Sequence, residues 1–221
     1  MSWIIKSSVG GRGGSISTDA IIPETGEEWG RSIGLDIASD FSDVFRGGKG
    51  QLDLSTVPRT VVVERKRQQF PDIWWGENKL HIISEALHEI IEDHDPGLHI
   101  IWPVEMQTKR GEVYPGPFFA FVPGVHAAAI DEDESDANVT EETHYPATAT
   151  RPGSISPKFS YLETSWDAVV KSDALPDCHI WWDHGLTRSY LLTSDALHDA
   201  IKTAGRKVIP MKKVCEIGGT A

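Results

Sequence analysis

The chain has 221 residues, and 39% of them are hydrophobic, which is enough for a globular protein with a buried core. The 33 acidic and 21 basic residues give a formal net charge of -12, so nucleic acid and anionic membrane surfaces are disfavoured as partners because both repel such a charge.

Three further features bear on where the protein acts. Residues 1–6 contain only a short apolar run before a Ser/Gly-rich stretch, too short for the apolar core of a secretory signal. No segment approaches the roughly 18 consecutive apolar residues of a membrane span. Cys178 and Cys215 have no spacing typical of a disulfide framework or a zinc site. The sequence therefore predicts a cytoplasmic protein with reduced thiols.

One pattern occurs twice in the chain. Trp74 and Trp75 precede a short apolar segment at 80–83, and a helix with an apolar stripe follows Ser84. Trp181 and Trp182 precede the matching segment 190–193 and the helix after Ser194. The repeat predicts a duplicated strand–helix–strand unit within a single α+β domain, residues 1–221, with a mostly antiparallel sheet. The copies extend over about 72–104 and 177–211, and Pro103 is matched to Pro210.

The ends of the two repeated helices can also be predicted. Ser84 and Ser194 fit the N-cap position, where a serine hydroxyl accepts a hydrogen bond from a free backbone N–H of the first turn. Gly97, after Pro96, and Gly205 fit the stop signals at the other ends.

The remaining segments differ in character. Further strands are predicted at 61–63, 98–104 and 118–122, and short helices at 35–45 and 166–170. The acidic, proline-containing segment 131–157 predicts a mobile surface loop.

Histidines provide the only constellation that suggests chemistry. His88 and His198 occupy matching positions beside acidic residues, and with Glu85 and Asp195 they could bind a metal or transfer a proton. His88 lacks a second histidine one helical turn away, so the zinc-protease motif is absent. We favour packing at the edge of the helix stripe for both histidines. The glycine-rich segments also lack phosphate-binding spacing, so the sequence predicts a non-enzymatic protein without a metal or cofactor.

Two sets of residues are candidates for binding a partner. Alternation along a strand would place one ring of each tryptophan pair outside, and we interpret Trp75 and Trp182 as these outward rings. The acidic run Asp131, Glu132, Asp133 and Glu134 is the second set, although we favour a solvated loop as its explanation.

The chain resembles immunity family 11 of the bacterial polymorphic toxin systems. The resemblance lies first in the strand and Ser-initiated helix at 80–91, and then in Pro96-Gly97-Leu98-His99 leading to Trp102-Pro103-Val104, Lys109-Arg110-Gly111 and the strand 118–122. The second stretch is 190–205. The sequence departs from the family pattern at 206–210, and its first 55 residues show no match.

The resemblance implies a protein that binds and neutralises a cognate toxin. A cytoplasmic target favours a nuclease, whose basic groove would attract an acidic partner. Two alternatives stay open at this point: an adaptor or structural protein of a secretion or phage system, and an enzyme that uses a histidine and an acid.

Overall fold

The computed structural model describes residues 1–6, 18–21, 28–29, 54, 57–63, 68–75, 80–131, 133–135, 138–145, 154–160, 168–183, 186, 190–206 and 211–218. These residues form helices and mixed sheets, so the α+β class is confirmed. The helices are α1, Glu85–His94, and α2, Asp195–Thr203, with a 3-10 turn at Ser172–Ala174. Neither helix is long and apolar enough to cross a membrane.

The described strands are β1 Ser2–Lys6, β2 Thr18–Ile21, β3 Glu28–Trp29, β4 Thr60–Val63, β5 Ile73–Trp75, β6 His81–Ser84, β7 Ile100–Thr108, β8 Phe118–Val122, β9 His126–Ala127, β10 Asn138–Tyr145, β11 Ser154–Ser160, β12 Val169–Lys171, β13 Ile180–Asp183, β14 Tyr190–Ser194, β15 Met211–Lys213 and β16 Cys215–Ile217.

Two larger sheets contain most of these strands. One runs in the order β3, β2, β4, β7, β8, β6, β5, and the other in the order β15, β1, β14, β13, β9. Most neighbouring strands are antiparallel, and the parallel pairs are β4 with β7, β9 with β13, and β12 with β16. Strands β10 and β11 pair with each other.

Four strands of one sheet match four strands of the other in order and register. β7, β8, β6 and β5 lie side by side as β15, β1, β14 and β13 do. Trp74 lies opposite Ile82, and Trp181 lies opposite Leu192. We call β5–β8 with α1 the first unit, and β13–β15 with β1 and α2 the second unit. Their common origin by duplication stays a prediction.

The strand pairing also corrects one detail of the predicted repeat. Pro103 lies opposite Phe119 of β8, and the position that lies opposite Trp3 of β1 is Lys213. The register therefore matches Pro103 with Lys213 and not with Pro210. The connection between the helix and the strand that follows it differs in length between the two copies. The two prolines therefore do not occupy equivalent positions.

The central strands of each sheet, β6 and β8 in one and β13 and β14 in the other, are buried on both faces. A central cluster combines both helices with one face of each sheet, and includes Leu87, Ile91, Leu197 and Ile201. The outer face of the first unit packs around Trp74 and Trp102, and that of the second around Trp181 and Leu192. The two units therefore share one core between them.

Two element predictions are wrong. Residues 169–171 form strand β12 and not a helix, because their backbone pairs with β16, a partner far along the chain. The predicted loop 131–157 contains strand β10 and the start of β11, which satisfy each other's backbone hydrogen bonds. The predicted helix at 35–45 lies outside the described residues. The strands at 61–63, 80–83, 118–122 and 190–193 are confirmed.

Candidate functional surface

The predicted outward tryptophans do not form an exposed pair. Trp182 is 7% exposed and belongs to the central core, where His126 packs edge-on against its ring at 5.2 Å. Its interpretation as a surface ring is wrong, because both faces of β13 are buried. Trp75 pairs with His81 through the backbone, and its side chain lies outside the described residues.

The acidic run divides into structural and exposed parts. Asp131 is buried, and its Oδ1 accepts hydrogen bonds from the backbone N–H of Asp133 at 3.0 Å and of Glu134 at 3.1 Å. The bond from Glu134 is the main reason why the pKa of Asp131 is lowered, and Lys171 contributes through its charge. The Asp131 carboxylate therefore holds a turn, and its role in binding stays a prediction. Asp133 and Glu134 are exposed, and Glu132 lies outside the described residues.

The two repeated histidines pack on matching aromatic rings. His198 lies flat on Trp3, with centroids 3.6 Å apart and planes 2° from parallel, and its Nδ1 is 2.9 Å from Asp199 Oδ1. His88 lies on Phe119, with centroids 4.3 Å apart. Phe119 and Trp3 occupy equivalent strand positions, so packing accounts for both histidines. The other two members of the proposed constellation differ: Glu85 is exposed, and Asp195 accepts a hydrogen bond from Trp3 Nε1 at 2.8 Å, which lowers its pKa.

A buried polar cluster joins the two units. Asp95, just after α1, accepts hydrogen bonds from the backbone N–H of His179 at 2.9 Å and of Ile180 at 3.0 Å. The Nε2 of His99 lies 3.1 Å from the same carboxylate, and its Nδ1 accepts from the backbone N–H of Gly124 at 3.1 Å. Because Nδ1 is an acceptor, His99 is neutral and donates through Nε2. Burial lowers the pKa of His99, in keeping with this neutral state.

Cysteine chemistry is disfavoured beside this cluster. Burial, reinforced by the nearby Asp95 carboxylate, raises the pKa of the Cys178 thiol to about 12. A thiol is a nucleophile only as the thiolate. Cys178 is therefore inert at neutral pH.

An open pocket of about 200 Å³ lies where β5 begins and β6 ends. Its wall is a cluster of aromatic rings: the Phe70 centroid is 4.9 Å from that of Tyr114, 5.6 Å from that of Phe118 and 5.1 Å from that of Trp74. Pro71 and Pro115 complete the apolar lining, and the polar lining residues are Gln68, Gln69 and Ser84. The pocket therefore opens to solvent between aromatic and proline side chains, with polar residues along part of its edge.

A line of acidic residues begins beside the pocket. Ser84 both lines the pocket and caps α1, its hydroxyl accepting from the backbone N–H of Leu87 at 3.3 Å. From there Glu85, Glu89 and Asp93 follow at successive turns of α1, and all three are exposed. None of them forms an ion pair with another described residue. We call these three residues the acidic stripe.

Only the first residue of the acidic stripe favours its own helix, because Glu85 in the first turn complements the positive end of the helix dipole. Like charges four residues apart destabilise an isolated helix by about 0.2–0.5 kcal/mol per pair. Asp93 also lies in the last turn, where the helix dipole disfavours a negative charge. In α2 the matching position Asp195 is engaged by Trp3 instead.

Sequence reasoning missed both the pocket and the acidic stripe. The spacing of Glu85, Glu89 and Asp93 is visible in the sequence and could have indicated an acidic helix face. The pocket could not have been found, because Phe70, Tyr114 and Phe118 are far apart along the chain and meet only through the pairing of β5, β6 and β8.

Among the described residues, no group of three or more His, Cys, Asp or Glu side chains could hold a metal ion. A comparison with curated proteins finds no match. The model of the Imm11 immunity protein family matches residues 19–214, which is most of the chain. The match includes residues 19–55, so the expectation that the first 55 residues lie outside the resemblance is wrong for most of them. The chain therefore belongs to the Imm11 immunity protein family.

Proposed function

We propose that this protein neutralises a cognate bacterial toxin in the cytoplasm by binding it, without catalysis. The observation that carries the proposal is the family match over residues 19–214, since an immunity protein acts on a toxin partner. The family match implies a toxin partner in general, whereas the kind of toxin and the surface that binds it are part of what we propose.

The charge of the protein supports a basic toxin. A net charge of -12 attracts a partner with a positive surface and accelerates their encounter, at rates that fall as ionic strength rises. Nucleases fit this description, because their grooves bind a phosphate backbone. The exposed Asp133 and Glu134 add to the negative field, and the acidic stripe adds three charges on one helix.

The surroundings of several histidine and cysteine side chains also support neutralisation by binding. His88 and His198 pack on aromatic rings, and His99 is neutral inside the buried cluster between the units. Burial keeps Cys178 protonated. These described groups hold the fold, which supports action through surface complementarity.

Co-expression tests this proposal. The toxin encoded by the adjacent gene is induced in a bacterial host with this protein, either in the cytoplasm or fused to an export signal. We expect cytoplasmic protein alone to restore growth and to co-purify with the toxin at low salt. Rescue that requires export, or no complex at low salt, contradicts the proposal.

A further inference from the structure

We propose that the connection between β8 and β9 is held by a proton-sensitive latch: protonation of His99 releases residues 123–125 and, with them, the pairing of β9 with β13. We call residues 123–125 the crossover, because they lead from the sheet of the first unit to the sheet of the second. This switch does not depend on what the protein binds.

The latch is the bond between His99 and Gly124. The backbone N–H of Gly124 donates to Nδ1 of His99 at 3.1 Å, and Nε2 of the same ring lies 3.1 Å from the Asp95 carboxylate. One ring nitrogen is therefore an acceptor and the other a donor. A protonated imidazole has two donors and no acceptor. Its Nδ1–H would face the N–H of Gly124, so the bond that holds the crossover requires a neutral His99.

The closed crossover has no room to adjust to a protonated ring. A Cβ on Gly124 would overlap the carbonyl oxygen of Leu98 and lie 3.3 Å from Cα of His99, so the glycine is already in close contact with the latch residue's own backbone. The buried His99 ring also packs edge-on against Phe121, with centroids 5.4 Å apart. Turning the ring to avoid the contact would break its bond to Asp95. Protonation therefore moves the crossover away from the ring.

The displacement reaches β9 through the last residue of the crossover. The carbonyl of Val125 accepts from the backbone N–H of Trp182 at 3.1 Å, just before β9 pairs in parallel with β13. β9 is two residues long and lies at the edge of its sheet, so few other bonds retain it. The opening ends beyond β9, because the buried Asp183 carboxylate accepts from the backbone N–H of Ala129 at 2.7 Å.

The charges around His99 oppose the effect of burial, and burial prevails. Burial lowers the pKa of His99, although the carboxylates of Asp95 and Glu92 act in the opposite direction. Opening exposes the ring to water and removes this penalty, so acidification favours the open state. The other titratable groups on the elements around the latch are His81 of β6, His94 of α1, Cys178 and His179 before β13, and His126 of β9.

Hydrogen exchange of the whole protein tests the switch, because it reports on single backbone amides. The amides of Gly124 and Trp182 report the latch and the start of β9, and that of the fully buried Ile91 in α1 reports unfolding of the whole chain. Between pH 7 and pH 5 we expect the protection of Gly124 and Trp182 to fall about tenfold, and more than that of Ile91, since one linked proton changes an opening equilibrium by at most about tenfold per pH unit.

Two neutral replacements identify the proton that operates the latch. His99→Gln retains a donor for Asp95, and His99→Asn retains an acceptor for Gly124, so at least one should fold, and protection at the crossover should then be independent of pH. His88→Gln, which removes a histidine that packs on Phe119, is the matched control and should respond like the wild type.

His126→Gln separates the latch from the histidine of β9 itself, and it should also respond like the wild type. Loss of the response in this variant, or its persistence in a folded His99 variant, overturns the inference. The wild-type comparison decides independently of every variant: equal losses of protection at Gly124, Trp182 and Ile91 mean that only the whole fold responds to acid, which also overturns it.

Discussion

The carboxylate of Asp95, in the first unit, accepts a hydrogen bond from the backbone N–H of Ile180, in the second, at 3.0 Å. The same carboxylate accepts from the backbone of His179 and from the His99 ring. One buried side chain therefore ties the end of α1 to the beginning of β13. The connection makes the relative position of the two units depend on Asp95.

Replacement of Asp95 by Ala should lower the free energy of unfolding by at least about 3 kcal/mol, since several buried donors would lose their acceptor at about 1–3 kcal/mol each. Asp95→Asn retains one acceptor oxygen and should cost less. Asp93→Asn, an exposed change on the same helix, should not destabilise the fold. Urea unfolding followed by circular dichroism measures all three, and equal stability of D95A and wild type contradicts the assigned role.

Stability should fall as the pH falls below about 6.5, the ordinary pKa of histidine. The pKa of His99 is lowered by burial, so below pH 6.5 the unfolded chain binds a proton that the folded chain resists. The folded state therefore loses stability with acidification, by at most about 1.4 kcal/mol per pH unit for one group. The lowered pKa values of Asp131 and Asp195 act only in a more acidic range.

His99→Gln isolates this effect. Urea unfolding of the variant between pH 5 and 7.5 should show a weaker pH dependence than the wild type, although the variant is less stable throughout. An identical pH dependence of the two proteins would contradict the role assigned to His99.

Loss of either helix cap should cost about 1 kcal/mol. Ser84 accepts from the backbone N–H of Leu87, and Ser194 accepts from that of Leu197, each at 3.3 Å. Ser84→Ala and Ser194→Ala should each lower the melting temperature, whereas Thr203→Ala, at an exposed position of α2, should change it little. Unchanged melting of both serine variants would argue against both caps.

Two glycines should respond differently to alanine. A Cβ at Gly124 would lie 1.9 Å from the carbonyl oxygen of Leu98, so the backbone must move and the bond to His99 is strained. At Gly97 the φ of +64° disfavours alanine, but the space is open, and the cost is about 1–2 kcal/mol. Chemical unfolding should show a clearly larger loss for Gly124→Ala, and a smaller loss would contradict the close packing there.

Local signals in the sequence predicted the two helices and their ends well. Ser84 and Ser194 are N-caps, and the helices end before Gly97 and Gly205, which have φ of 64° and 63°. These features depend on neighbouring residues, so a short stretch of sequence contains the information. The matched register of the strands agrees with the repeat, and superposition of the two units would test the duplication.

Features that depend on distant residues were not predictable. Val169 and Val170 fit a helix by spacing, yet they pair with Cys215 and Glu216. Trp182 follows the strand alternation, but both faces of β13 are covered, so neither ring of its pair is exposed. Strand β1 lies between β14 and β15, nearly the whole chain away, and nothing in residues 1–6 indicates those partners.

Titration of toxin activity with the purified protein tests the central claim most directly. If the protein neutralises by binding, residual activity should fall linearly with added protein and reach zero near one equivalent, and active toxin should be recovered when the complex is dissociated. Complete loss of activity at a small fraction of an equivalent, with toxin that stays inactive after separation, would show a catalytic mechanism. Full toxin activity at an excess of protein would contradict neutralisation itself.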